Sequence, residues 1–377
     1  MARSQRVQWV DIAKGLCILL IVVHHVSMYP FSSEILLELQ ASVSAIRVPL
    51  FFFCSGLFAT RLLSGSLTWL WQKRIWPWLF PFTLWTFIYH MGIHQMSPAD
   101  TVPMLVHPES FLWFLQALIL YSILTWLTRF IPRVLVFLIS LLPLLFFPLS
   151  DILGDYYGIM RWWPVFLCGL YSRYLIFPDP KTHESGIDKV RRRPGYQLAA
   201  VGIFSGIVSL ALCMEFLEVK VIQYDLFSSE AWAAYDRLKL IPIALNGVAL
   251  AIFFAMLLER QQSVLLSHVA DLLALAGRHT LPIYLSHLPV NILFEYHAVE
   301  LLGWTSWADA HPIMMTVIGT GICLAIAMLL ELLATRVPGC RWLVYAPGRD
   351  QRKKEHQGSR DRLSPSRENH RHSIVLH

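Results

Sequence analysis

The chain has 377 residues, of which 56% are hydrophobic and only 15% are charged, with a net charge of +6. A soluble domain carries about 25% charged residues, so this composition, with a mean hydropathy of +0.52, excludes an ordinary soluble enzyme and indicates a polytopic membrane protein. The net positive charge needs no nucleic-acid partner to explain it, because the basic residues follow a membrane topology.

Apolar stretches of about 20 residues, the length that crosses a bilayer, recur along almost the whole sequence. A semi-apolar stretch at 263–277 precedes the ninth of them and is predicted to be an interfacial or re-entrant helix. The predicted fold is therefore all-α, a transmembrane helical bundle of about ten spans. The spans lie near 8–29, 41–61, 75–95, 111–129, 133–150, 160–178, 197–217, 238–259, 280–302 and 312–334.

Basic residues concentrate in the segments that a cytoplasmic N-terminus places inside the cell. The predicted outer loops 96–110 and 303–311 contain no Lys or Arg. By the positive-inside rule, both termini are predicted to be cytoplasmic. We divide the chain into a transmembrane domain, 1–340, and a basic, disordered cytoplasmic tail, 341–377.

The first apolar stretch carries ionisable groups on one helical face. Lys14 and His25 are eleven residues apart, close to three whole turns, and Asp11 returns near the same face. A charge at the bilayer centre costs about 2.5–3.5 kcal/mol, so such groups face a bundle interior or a wet cavity. His25 is a candidate proton acceptor. The alternatives are an i,i+3 pair of Asp11 with Lys14 at the membrane edge, and a His25 that merely bonds a neighbouring helix.

Other polar and basic groups interrupt the later apolar stretches. Lys73 and Arg74 precede the third span, where they either anchor the cytoplasmic edge or clamp the phosphates of a cytoplasmic donor. Tyr284 and His287 share one face of the ninth span. Ser55, beside a glycine, either packs against another helix or serves a site. The remaining candidates are Arg47, Trp113, Arg161 and Arg278.

Six motifs in chain order carry a resemblance to a known family. They are "KGLCILLIVVHH", "VPLFFFCSGLF", "KRIWP", "LWFLQALIL", "WWPVFLCGLY" and "GRHTLPIYLSH", between residues 14 and 287. The chain resembles the membrane-bound acyltransferase-3 family, bacterial inner-membrane enzymes that acylate surface glycans, and within it the short stand-alone type. The family usually has Arg where Lys14 stands, so the charge is kept and the bidentate fork is lost.

The resemblance implies an O-acyltransferase that is a multi-pass protein of the bacterial inner membrane. The implied donor is cytoplasmic acyl-CoA, most often acetyl-CoA, as a co-substrate, with no bound cofactor and no metal. The implied acceptor is a hydroxyl of a cell-surface or periplasmic carbohydrate. Direct transfer and transfer through a covalent acyl-enzyme both remain open.

The same resemblance, read with the charge pattern, assigns the candidate residues to three groups. His25, with Asp11 and Lys14, is predicted to be catalytic. The donor phosphates are predicted to bind Lys14, Lys73, Arg74 and Arg278. The acceptor side is predicted to include Arg47, Ser55, Trp113, Arg161, Tyr284 and His287.

Two other functions fit the same sequence. A transporter or flippase of a glycolipid or acyl-carrying substrate would use the polar face as a path. A receptor or scaffold would recruit partners through the basic tail. Dependence on acyl-CoA and on His25 separates the enzyme from the transporter. Full loss of function on deletion of 348–377 would support the scaffold, because the enzyme should tolerate loss of the tail.

Overall fold

The computed structural model describes residues 7–28, 33–107, 112–177 and 237–348, and within these ranges every regular element is a helix. The predicted seventh span, 197–217, and the tail from residue 349 lie outside the described residues. The α-helices are α1 (Gln8–Met28), α2 (Glu34–Ser42), α3 (Ser44–Leu57), α4 (Leu67–Leu70), α5 (Trp76–Phe87), α6 (Pro98–Thr101), α7 (Trp113–Leu127), α8 (Arg133–Leu145), α9 (Phe147–Leu153), α10 (Tyr157–Met160), α11 (Trp163–Ile176), α12 (Leu240–Glu259), α13 (Val264–Arg278), α14 (Thr280–Ile292), α15 (Val299–Leu301), α16 (Thr305–Ala310) and α17 (Pro312–Arg336).

Three π-helical segments join some of these helices into longer runs. Trp71–Ile75 and Ile88–Ile93 extend α4 and α5 into one helical run over 67–93, and Leu293–Ala298 extends α14 to residue 301. Such segments insert an extra residue into a helical turn and frequently occur at functional sites.

Four helical stretches within the described residues are long and apolar enough to cross a membrane: Gln8–Met28, Trp113–Phe130, Leu240–Glu259 and Pro312–Arg336. Shorter apolar helices cover Ile46–Leu57 and Arg133–Leu145. The fifth predicted span, 133–150, is interrupted, because α8 ends at Leu145 and Phe146 is extended before the next helix begins. In its described residues the chain is thus all-helical, with the apolar helices of a membrane protein.

Helix α1 lies inside the bundle and packs against α3, α12, α13, α14 and α17. Its contact with α13 is a backbone contact, because a Cβ atom on Gly15 would strike the backbone of Leu273 and one on Gly277 would strike the backbone of Asp11. Only glycine permits so close a crossing. This crossing holds the N-terminal part of α1 against α13.

The helix α13 covers the stretch for which an interfacial or re-entrant helix is predicted. One side of it is apolar and exposed, with Val264, Leu265 and Leu272 66–73% exposed. An apolar face of this kind is what a helix at the lipid boundary requires.

The residues just beyond α17 pack back onto the bundle. The Trp85 indole donates to the carbonyl of Leu343 at 2.6 Å, and the Tyr345 hydroxyl lies 2.9 Å from both carboxyl oxygens of Glu331. The described part of the predicted tail, up to residue 348, is therefore held against α5 and α17.

Candidate functional site

Two imidazoles meet where α1 packs against α14. Nδ1 of His25 lies 3.2 Å from Nε2 of His287, and the ring centroids are 5.0 Å apart. His287 is 1% exposed, whereas His25 is half-buried. Residues 262 positions apart in the chain thus form one polar pair in the bundle interior.

The neighbouring carbonyls determine which nitrogen carries each hydrogen. Nδ1 of His287 lies 2.8 Å from the carbonyl of Tyr284 and 3.2 Å from that of Ile283, so this nitrogen donates and Nε2 of the same ring accepts. Nδ1 of His25 faces that acceptor and, at 3.0 Å, the carbonyl of Ile21, so it also carries a hydrogen. The Nε2 atom of His25 therefore keeps its lone pair, and no described residue hydrogen-bonds to it.

A polar stripe continues from His287 along α14 and its π-helical extension. Asn291 and Glu295 follow it at successive intervals of four residues, and Tyr284 precedes it by three. Nδ2 of Asn291 donates to Oε2 of Glu295 at 2.8 Å and to the carbonyl of His25 at 3.4 Å. Sequence reasoning missed Asn291 and Glu295, although the four-residue spacing from His287 was a usable signal.

Tyr284 connects this stripe to α7. The backbone N–H of Phe114 donates to the Tyr284 hydroxyl at 3.3 Å. The neighbouring Trp113 is half-buried, with its ring 5.9 Å from that of Phe52. The two predicted acceptor-side aromatics, Tyr284 and Trp113, therefore lie at one corner of the bundle.

Three cations surround Phe58, just beyond the end of α3. The Lys14 ammonium lies 5.0 Å and the Arg173 guanidinium 5.7 Å from the centroid of the Phe58 ring. The Arg74 guanidinium donates to the carbonyl oxygen of Phe58. Such a concentration of positive charge suits phosphate oxygens. We call Lys14, Arg74 and Arg173 the basic cluster; Arg173 was not among the sequence candidates.

Asp11 and Arg278 form an ion pair where α13 crosses α1. Nε of Arg278 lies 3.7 Å from Oδ2 of Asp11, which is buried. Asp11 and Lys14, although three residues apart on α1, therefore have different neighbours. Asp11 lies against Arg278, whereas Lys14 belongs to the basic cluster.

The remaining candidates occupy separate positions. Lys73 is exposed on a π-helical segment and Ser55 is half-buried. Arg47 donates to Oε1 of Gln40 at 3.1 Å. In the described part of the chain Ser55, Lys73 and Arg161 make no hydrogen bond to the histidine pair. The Arg161 guanidinium lies over the ring of Trp162, its own neighbour.

The histidine pair, the basic cluster and the stripe on α14 all lie between residues 14 and 295. No curated protein and no solved structure matches the chain. The family described as an acyltransferase domain, by contrast, matches residues 7–332, nearly the whole chain. The chain therefore belongs to the acyltransferase-3 family and is a membrane acyltransferase.

Proposed function

We propose that this protein transfers an acyl group, in the first place acetyl, from cytoplasmic acyl-CoA to a hydroxyl of a cell-surface or periplasmic carbohydrate. The setting is a bacterial inner membrane, crossed about ten times with both termini in the cytoplasm. The observation that carries the proposal is at His25: its Nδ1 contacts His287 and Ile21, and its Nε2 has no hydrogen-bond partner among the described residues.

In the proposed reaction, His25 is the general base. Its Nε2 takes the proton of the acceptor hydroxyl while the hydroxyl oxygen attacks the thioester carbonyl carbon. The tetrahedral intermediate then expels the CoA thiolate, and the imidazolium of His25 gives its proton to that sulfur. The ester and the CoA thiol are the products, so every proton is accounted for and no acyl-enzyme is needed.

The basic cluster supplies the donor end of this mechanism. Lys14 is eleven residues before His25 on α1, about 16 Å along the helix axis. Coenzyme A carries its phosphates and its thioester at opposite ends of an extended pantetheine arm. Phosphates bound by Lys14, Arg74 and Arg173 at the inner face would leave the arm to reach inward along α1 to His25.

Purified protein in detergent tests the reaction directly. We expect wild type to release CoA thiol from acetyl-CoA, and His25→Ala to lose that turnover while inserting and purifying normally. His268→Ala is the matched control, because His268 is an exposed histidine on α13. Full turnover by His25→Ala would refute the base, and CoA-independent movement of a glycolipid would favour the flippase.

Cells supply the acceptor that detergent solution lacks. Surface glycans from cells with wild type and with His25→Ala are compared by mass spectrometry. We expect an added acetyl mass on a carbohydrate only in the first sample. Identical glycans in the two samples would refute a carbohydrate acceptor.

A further inference from the structure

Several buried polar atoms on the helices around the histidine pair have no hydrogen-bond partner among the described residues. Three of them, on His24, Asn291 and Thr320, belong to α1, α14 and α17, which pack against one another. Buried polar groups are nearly always paired in native proteins, so these atoms indicate a partner that the described residues do not provide. The full set among the described residues is His24 Nδ1, His90 Nε2, Gln116 Oε1, Arg161 Nε, Asn291 Oδ1 and Thr320 Oγ1.

The orientation of the Asn291 amide is fixed by its contacts. Its Nδ2 donates to a carboxylate oxygen of Glu295 and to the carbonyl of His25. A flipped amide would direct its oxygen at these two acceptors, which is unfavourable. Oδ1 of Asn291 is therefore an acceptor without a donor, on a residue that is 3% exposed.

Glu295 provides a second acceptor at the same place. The residue is 4% exposed, and one carboxyl oxygen accepts from Asn291, while the other makes no hydrogen bond with any described residue. This second oxygen is not among the fully buried unpaired atoms, so a bound group can reach it. It is therefore open to a donor from outside the described chain.

Thr320 faces the same region from α17. It precedes Cys323 by three residues, and the Cys323 thiol lies 3.4 Å from the carbonyl of His287. Residues three apart share a helical face, so the Thr320 hydroxyl is directed toward α14. This hydroxyl can both donate and accept.

We propose that Asn291, Glu295 and Thr320 form the acceptor subsite, which binds hydroxyl groups adjacent to the one that His25 deprotonates. The inference rests on the proposed function and narrows its acceptor to an uncharged polyhydroxylated ring. Hydroxyl groups donate to the two acceptors, whereas an ionised phosphate or carboxylate has no hydrogen to donate to them. Successive residues of the stripe are about 5–6 Å apart, a distance that one sugar ring spans.

Two half-reactions of the purified protein test the subsite. With labelled acetyl-CoA and a cell-envelope glycan extract, label in the extract measures transfer; without extract, CoA thiol release measures donor use. The variants are Glu295→Gln, Asn291→Ala and Thr320→Val. The matched control is Glu300→Gln, because Glu300 is an exposed glutamate five residues after Glu295.

We expect Glu295→Gln and Asn291→Ala to lower transfer roughly 10- to 100-fold, since each removes a hydrogen bond to a buried polar group. Thiol release without extract should stay near the wild-type value, which also shows that the variants are folded. Wild-type transfer by all three variants would overturn the subsite, and so would equal losses in both half-reactions. A wild-type protein that neither releases thiol nor labels the extract would overturn the proposed function itself.

Discussion

Replacement of His287 tests whether this residue supports proton transfer by His25 or contributes to the binding of acetyl-CoA. In the resting pair, His25 Nδ1 donates to His287 Nε2 at 3.2 Å. When His25 takes the acceptor proton it becomes an imidazolium, and this contact becomes a hydrogen bond to a charged group. Such bonds contribute about 1.5–3 kcal/mol, and each 1.4 kcal/mol corresponds to about tenfold in rate.

His287→Phe removes that acceptor and keeps an aromatic ring of similar size. We expect its kcat to fall roughly 10- to 150-fold. Its KM for acetyl-CoA should be unchanged, because the donor phosphates are proposed to bind at the basic cluster. His287→Gln should recover most of the rate, since its amide oxygen reaches a position near that of the imidazole Nε2 and accepts from the same N–H.

The assay is steady-state thiol release from acetyl-CoA, with His268→Phe as the control for loss of an exposed histidine. A His287→Phe enzyme with wild-type kcat would show that the pair has no part in proton transfer. Equal losses in the Phe and Gln variants would also count against the reasoning, because the Gln variant restores the acceptor.

Three further changes probe the helix crossing, the basic cluster and the C-terminal segment. Gly15→Ala should lower the unfolding midpoint in detergent and cost about 1–3 kcal/mol of stability, because the added Cβ meets the backbone of α13. Gly321→Ala is the control and should leave the midpoint unchanged, since its Cβ has no neighbour within 4 Å. Lys14→Gln should raise the KM for acetyl-CoA about tenfold with less effect on kcat. Arg260→Gln, at an exposed position, is the control, and an unchanged KM in Lys14→Gln would exclude Lys14 from the donor site. Tyr345→Phe should destabilise the protein by about 1.5–3 kcal/mol in a thermal melt, since it leaves a buried carboxylate of α17 without its hydroxyl partner, and an unaltered melt would contradict that packing.

The sequence alone determined that α1 is an apolar helix with ionisable residues on one face. Helical periodicity is local, so the spacing of Lys14 and His25 is sufficient to place them on one face. The cost of burying ionisable groups in hydrocarbon is also local information, and it predicts that this face is turned away from lipid. Membrane character and the family motifs likewise need no tertiary contact, since composition and residue order carry them.

Only the tertiary structure decided which groups meet. His25 and His287 both stood among the sequence candidates, but a helical period specifies a face and not the helix opposite it, so neither their pairing nor the resulting tautomers followed from spacing. Arg173 joins Lys14 through the ring of Phe58, a contact between α11, α1 and the residue after α3. Glu295 acquires its proposed role only because packing pairs one of its oxygens with Asn291 and leaves the other without a described partner. Hydrogen-bond satisfaction depends on every neighbour at once, and this is why it cannot be read from one helix at a time.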